Sequence, residues 1–119
     1  GDTLRQAQME QQIQEASRRR TEVMLNGYTW SAQDFFSSRD GKDIFDSVRT
    51  HFNKLSFESI AKLTQLIRDY VTWKGYTLDP AGAALDKGTD INGNKGFSVN
   101  LIDASGKKLR ATVGHDLKD

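Results

Sequence analysis

The chain has 119 residues, no cysteine, and 17 lysines and arginines against 16 aspartates and glutamates. This length suits one small domain with a single core, and the lack of cysteine excludes disulfides, thiolate nucleophiles and cysteine-based zinc sites. The near-even charge argues against a protein that binds mainly by neutralising phosphates, and no apolar run is long enough to predict a membrane span.

The first predicted element is a long helix over residues 3–25. The segment is rich in helix formers, contains neither Gly nor Pro, and is followed by the stop signal Asn26-Gly27. Its heptad seam positions are Gln6, Met9, Ile13, Ala16, Arg20 and Val23. Because two of these positions are polar, the stripe is too thin for a core helix. We therefore expect residues 1–27 to form a connector or a partner-binding helix beside a single compact domain over 28–119.

Three further helices are predicted in the middle of the chain. Ser31 is a good N-cap with Asp34 three residues later, so a short helix should begin at Ala32. Helical spacing of apolar residues over 42–55 predicts a core helix. The segment 56–74 has a wide apolar sector and should be the most buried helix. Its apolar residues are Phe57, Ile60, Leu63, Leu66, Ile67, Tyr70, Val71 and Trp73.

The last third of the chain changes from helical to extended patterning. Asp79-Pro80 predicts one or two helical turns that run through Leu85 and close near Gly88. Apolar and polar residues then alternate over 97–102 and 108–113, which predicts an antiparallel β-hairpin or a slightly larger sheet. A lone hairpin is marginal in water, so its apolar face should pack on the central helix. The expected fold class is α+β.

The segment before the first of these strands begins like a calcium loop. Asp90, Asn92 and Asn94 occupy positions 1, 3 and 5 of an EF-hand-type loop. However, Lys95 stands where glycine is needed, and Leu101 stands where a bidentate carboxylate is needed. The pattern therefore predicts a turn and no metal site. Nothing else in the sequence predicts a cofactor.

Two histidines, His51 and His115, are the candidates for acid–base catalysis. Imidazole titrates near neutral pH, so a pair of them could serve a small nuclease or toxin domain. No nucleophile elbow or phosphate-binding glycine motif accompanies them. An enzyme is accordingly the second alternative.

The first alternative is a nucleic-acid-binding domain. Basic residues occur in one turn of the first helix and again on the hairpin, which could act like the wing of a winged helix. The candidate residues are Arg18, Arg19, Arg20, Lys107, Lys108 and Arg110.

The leading hypothesis is a non-enzymatic protein-interaction module, of a kind that would suit a larger assembly or a secretion-type system. The long, strongly helical first segment could complete its thin seam in a protein partner or in a second copy of the chain. The expected contact residues are Met9, Ile13, Ala16, Arg20 and Val23, with Tyr28 and Trp30 at the foot of the helix.

Overall fold

The computed structural model describes residues 2–82 and 85–115. A helical N-terminal portion is followed by an antiparallel sheet, which confirms the α+β class. The helices are α1 (Asp2–Asn26), α2 (Ala32–Ser37), α3 (Arg39–Thr50) and α4 (Phe57–Trp73). The strands are β1 (Thr77–Leu78), β2 (Asp86–Thr89), β3 (Lys95–Ile102) and β4 (Lys108–Gly114). Within the described ranges, no helix is both long and apolar enough to cross a membrane.

Serine hydroxyls start the three shorter helices. Ser31, Ser38 and Ser56 each accept a hydrogen bond from the backbone N–H three residues later, at 3.0 to 3.2 Å. The starts of α2 and α4 are those that the sequence predicts, whereas α3 begins at Arg39, earlier than the predicted segment. α3 also ends at Thr50, and a 3-10 turn over Phe52–Lys54 continues the chain towards α4.

Aromatic rings join the helices to the sheet. Phe35 and Phe36 of α2 pack edge to face at 5.1 Å, and Phe45 of α3 packs on Phe97 of β3 at 5.5 Å. All four rings are buried. Phe45 therefore links α3 to the central part of the sheet, while β1 contacts α4, which it follows in the chain.

The buried sector of α4 is narrower than the apolar pattern of its sequence predicts. Leu63, Ile67 and Val71 are buried, but Phe57 is 89 % exposed and Trp73 is 55 % exposed. At 100° per residue, Phe57 lies about 120° around the helix from Leu63, and it occupies the first turn. Both exceptions stand at the ends of α4. The expectation that these two aromatic side chains belong to the buried sector was wrong.

β3 is the central strand of the sheet. β1 and β2 both pair with one side of β3, in the registers Leu78↔Leu101 and Asp86↔Ser98, and β4 pairs with its other side. All pairs are antiparallel.

The predicted helical turns after Pro80 are replaced in part by strand β2. A 3-10 turn covers Pro80–Gly82, and the segment expected to close near Gly88 is instead β2. β2 is held by its ladder with β3 and lacks an alternating apolar pattern, so the sequence carried no period-2 signal for it. Residues 83 and 84, which the predicted turns include, lie outside the described residues.

Three glycines face each other across the sheet. Gly88 of β2 stands opposite Gly96 of β3, which stands opposite Gly114 of β4. A Cβ on Gly96 would lie 2.2 Å from the carbonyl oxygen of Val113, so this close backbone approach requires glycine. Across β2 and β3, the Arg49 guanidinium donates hydrogen bonds to the carbonyls of Gly96 at 3.2 Å and Gly88 at 3.3 Å. Arg49 thereby ties the end of α3 to two strands.

Candidate interaction surface

The N-terminal half of α1 projects from the rest of the molecule. Every residue from 2 to 14 is exposed, and at 1.5 Å per residue this stretch is about 20 Å long. The described chain measures 62 × 29 × 25 Å along its principal axes. The long axis therefore reflects a helix that extends past the core.

The C-terminal half of α1 is docked on α3 and α4. Thr21 and Leu25 are 1 % and 0 % exposed. One turn earlier, the Ser17 hydroxyl lies 3.1 Å from Nε2 of His51, at the end of α3. Ser17, Thr21 and Leu25 are spaced four residues apart, so they define one docked face of the helix.

A polar contact anchors α1 to the start of α4. The Glu22 carboxylate accepts hydrogen bonds from the hydroxyls of Ser56 at 2.7 Å and Ser59 at 3.0 Å, and it also pairs with Arg18. Asn26 donates from Nδ2 to the Ser59 hydroxyl at 3.0 Å. The hydrogen bond from Ser56 is the main cause that lowers the pKa of Glu22. An apolar-periodicity argument does not detect docking of this kind, because the contacting residues are polar.

The predicted contact residues of α1 share one exposed face, called the outward face below. At 100° per residue, the centre of this face lies about 120° from that of the docked face. Met9, Ile13 and Val23 are 55 %, 65 % and 73 % exposed. Ala16 and Arg20 are exposed between them. The outward face consists of Met9, Ile13, Ala16, Arg20 and Val23.

The two aromatic residues at the foot of α1 differ in environment. Tyr28 is 9 % exposed and packs edge to face on Phe35 at 5.3 Å. Its hydroxyl donates to the carbonyl of Ser31 at 3.3 Å, and burial is the main cause that raises its pKa. Trp30 is 63 % exposed. Of this pair, Trp30 is the side chain that a docking molecule can reach.

Half of the candidate nucleic-acid contacts are already ion-paired. Arg18, Arg19 and Arg110 each lie within 3.3 Å of a carboxylate. Their acidic partners are Glu15 and Glu22 on α1 and Asp86 on β2. The other three, Arg20, Lys107 and Lys108, are exposed and make no ion pair within the described ranges.

The two basic groups adjoin opposite ends of α4. Glu22, the partner of Arg18, contacts Ser56 just before α4. Lys108 pairs in register with Ile102, which pairs with Thr77 just after α4. Seventeen residues of helix correspond to about 25 Å. The structure therefore does not bring the two groups together into one basic patch.

The two histidines have different neighbours. His51 contacts Ser17 of α1, whereas the His115 ring lies 6.1 Å from that of Phe45 in α3. Burial is the main cause that lowers the pKa of His115. The backbone groups of Ser38 and Phe35 raise this pKa, but their effect is smaller than that of burial. Neither imidazole has the other as a contact among the described residues.

The segment that begins at Asp90 is a capped turn. Asp90 Oδ1 accepts hydrogen bonds from the backbone N–H groups of Asn92 and Asn94, both at 2.9 Å, and Gly93 adopts a φ of +84°. These bonds, chiefly that from Asn94, lower the pKa of Asp90. In the described part of the chain, no three His, Cys, Asp or Glu side chains are placed to hold a metal ion.

The turn between β3 and β4 repeats this geometry. Asp103 Oδ1 accepts from the backbone N–H groups of Ser105 and Lys107, both at 2.9 Å, and Gly106 has a φ of +87°. The two turns share the pattern Asp, any residue, Asn or Ser, then Gly. This shared pattern is the sequence signal that identifies both turns.

Neither a protein-family model nor a curated protein or a solved structure matches the chain. The structure defines an α+β domain with a projecting, half-docked helix. Its function is therefore inferred from the contacts and exposed surfaces described above.

Proposed function

We propose that the protein is a non-enzymatic interaction module that binds another polypeptide through the outward face of α1. The observation that carries the proposal is the exposure of Met9, Ile13 and Val23 on one face of a helix whose other face is docked. Each of these side chains gains roughly 1.5–3 kcal/mol when it moves from full exposure to full burial. A facing helix would supply the burial that the domain itself does not.

The anchoring of α1 also favours binding. Leu25 is fully buried and Glu22 is bonded to Ser56 and Ser59, so the helix is held in place before a partner arrives. A preorganised surface loses less conformational freedom on association than a mobile one. The exposed indole of Trp30, at the foot of the helix, offers an aromatic contact of the type enriched in interfaces.

The two alternatives are supported less well. Nucleic-acid binding would draw on Arg18, Arg19 and Arg110, whose charges are offset by neighbouring carboxylates. The nuclease hypothesis requires His51 and His115 to act on one substrate, but the two side chains contact different parts of the domain.

A photo-crosslinking side chain at Ile13 tests the proposal in extracts of cells that make the protein. The same group at Gln11 is the matched control, because Gln11 is exposed on the same helix but points about 160° away from Ile13. We expect a crosslinked protein, identified by mass spectrometry, from Ile13 and not from Gln11. The product crosslinked from Ile13 should disappear when the same chain also carries the substitution Val23→Lys. The absence of any crosslinked protein at Ile13 would overturn the proposal.

A further inference from the structure

We infer that the partner is a second copy of this chain, and that the two α1 helices pair antiparallel along their outward faces. This inference rests on the proposed function and adds the identity and direction of the partner. Three properties of α1 support it: the register of its seam, the position of its charges and the placement of its docked face.

The seam of α1 can pair in register with its own reversed copy, and it is most complementary at its centre. Gln6, Met9, Ile13, Ala16, Arg20 and Val23 alternate in steps of three and four residues, which is the spacing of a coiled-coil seam. Antiparallel pairing about the midpoint between Gln14 and Glu15 sets Ile13 opposite Ala16, and Gln6 opposite Val23. In the central layer, a large side chain thus meets a small one. Because the midpoint of α1 itself lies at Gln14, the two helices overlap along almost their whole length.

The charges decide the direction. In a parallel pair, Arg20 would face Arg20 of the second copy inside the seam, and like charges in contact are destabilising. In the antiparallel pair, Arg20 instead faces Met9 of the second copy, beside Glu10 of that copy. Glu10 is exposed and makes no ion pair among the residues that the structure describes. The antiparallel arrangement therefore gives Arg20 an acidic neighbour.

The docked face and the outward face of α1 are separate, which leaves the outward face open to this pairing. Ser17, Thr21 and Leu25 hold the core on a face centred about 120° from the outward face, and they lie in the C-terminal half of α1. Antiparallel pairing consequently carries the two cores to opposite ends of the helix pair. With only four apolar residues per seam, we expect association to depend on protein concentration.

The absence of native cysteine makes disulfide trapping a direct test. Gln6→Cys and Val23→Cys are prepared as separate purified full-length chains and oxidised alone or mixed. A disulfide needs Cα atoms within about 7 Å, and each residue would lie about 25 Å from its own counterpart in the antiparallel register. We expect crosslinked dimer in the mixture and none with either variant alone. Gln11→Cys mixed with Val23→Cys is the off-face control and should remain uncrosslinked.

Other outcomes separate this inference from the proposed function. If either seam variant crosslinks alone as efficiently as the mixture, the antiparallel direction is wrong, although helix pairing stands. If light scattering finds purified wild-type protein monomeric at every concentration while Ile13 crosslinks to a different protein in extracts, the second copy is wrong and the proposed function survives. A wild-type dimer unaffected by Ile13→Lys would place the interface elsewhere and overturn the inference.

Discussion

The carboxylate of Glu22 in α1 accepts a 2.7 Å hydrogen bond from the hydroxyl of Ser56, the N-cap residue of α4. The Ser56 hydroxyl also accepts the backbone N–H of Ser59 at 3.2 Å. A negative charge is favoured at a helix N-terminus, where unpaired N–H groups and the helix dipole point outward. One carboxylate thus both completes the cap of α4 and fixes the position of α1.

Glu22→Gln should lower the free energy of unfolding by about 1 kcal/mol near pH 7, because the hydrogen bonds from Ser56 and Ser59 lose their charged acceptor. The folded state lowers the pKa of Glu22 from its ordinary 4.5, so its contribution is present above that value and is lost as the pH falls through the folded-state pKa. The stability difference between variant and wild type should therefore shrink in acid. Urea unfolding at pH 7 and in acid measures it, with exposed Glu10→Gln as the control. A difference that is constant with pH would contradict this role for the carboxylate.

Arg49→Met should destabilise the junction of α3 and the sheet by roughly 1–3 kcal/mol, since the carbonyls of Gly88 and Gly96 lose a charged donor. Arg49→Lys should recover only part of this loss, because one ammonium group lacks the fork of a guanidinium. Thermal unfolding and hydrogen exchange of β2 amides check both variants. Arg39→Met, at an exposed position of the same helix, should behave as wild type. Equal stability of Arg49→Met and Arg39→Met would show that the hydrogen bonds from Arg49 to the sheet do not contribute to stability.

Phe57→Ala should change stability by less than about 0.5 kcal/mol, as is usual for surface substitutions, because the ring is 89 % exposed. Leu63→Ala in the same helix should cost about 2–5 kcal/mol through the cavity that it leaves, since Leu63 is fully buried. Chemical unfolding of the two variants measures both effects. A large loss with Phe57→Ala would mean that this ring is buried in solution, by the domain or by another chain.

The starts of α2 and α4 and the strand faces were predictable because each rests on a local signal. Ser31 and Ser56 act within three residues of themselves, and the alternation of Phe97, Val99 and Leu101 requires only a pleated strand. The strand character of β2 was not predictable, because its pairing partners come from β3, about ten residues later. The exposure of Phe57 depends on where the neighbouring elements end, which helical periodicity does not encode.

The candidate surface shows the same division between local and long-range information. The heptad positions of α1 indicated which residues share a face, and in the structure these residues lie on one exposed face of the helix. The docking of α1 was missed because Ser17 and Glu22 are polar, and their partners His51 and Ser59 lie more than thirty residues away in the sequence. Tyr28 was grouped with Trp30 by proximity in sequence, and packing against Phe35 separates them.

Saturating calcium should leave the melting temperature unchanged, since the Asp90 carboxylate is already bonded to Asn92 and Asn94. Asp90→Ala should cost a small amount of stability, because the turn loses the acceptor of these hydrogen bonds. Asp103→Ala, in the matching turn, should cost a similar amount. Differential scanning calorimetry with and without calcium tests all three statements. A calcium-induced rise that Asp90→Ala abolishes would identify a metal site in place of the capped turn.

The facing glycines of β2, β3 and β4 also have a mechanical consequence. Along the line from Gly88 through Gly96 to Gly114, the sheet carries no side chains that could resist bending. We expect the sheet to bend most easily along this line. Beyond the line lies the β2–β3 turn, which carries the fully exposed Ile91. Arg49 donates hydrogen bonds to two of these three glycines, Gly96 of β3 and Gly88 of β2. At this end of the sheet, where three paired positions carry no side chain of their own, a side chain from a helix therefore adds a link between two of the strands.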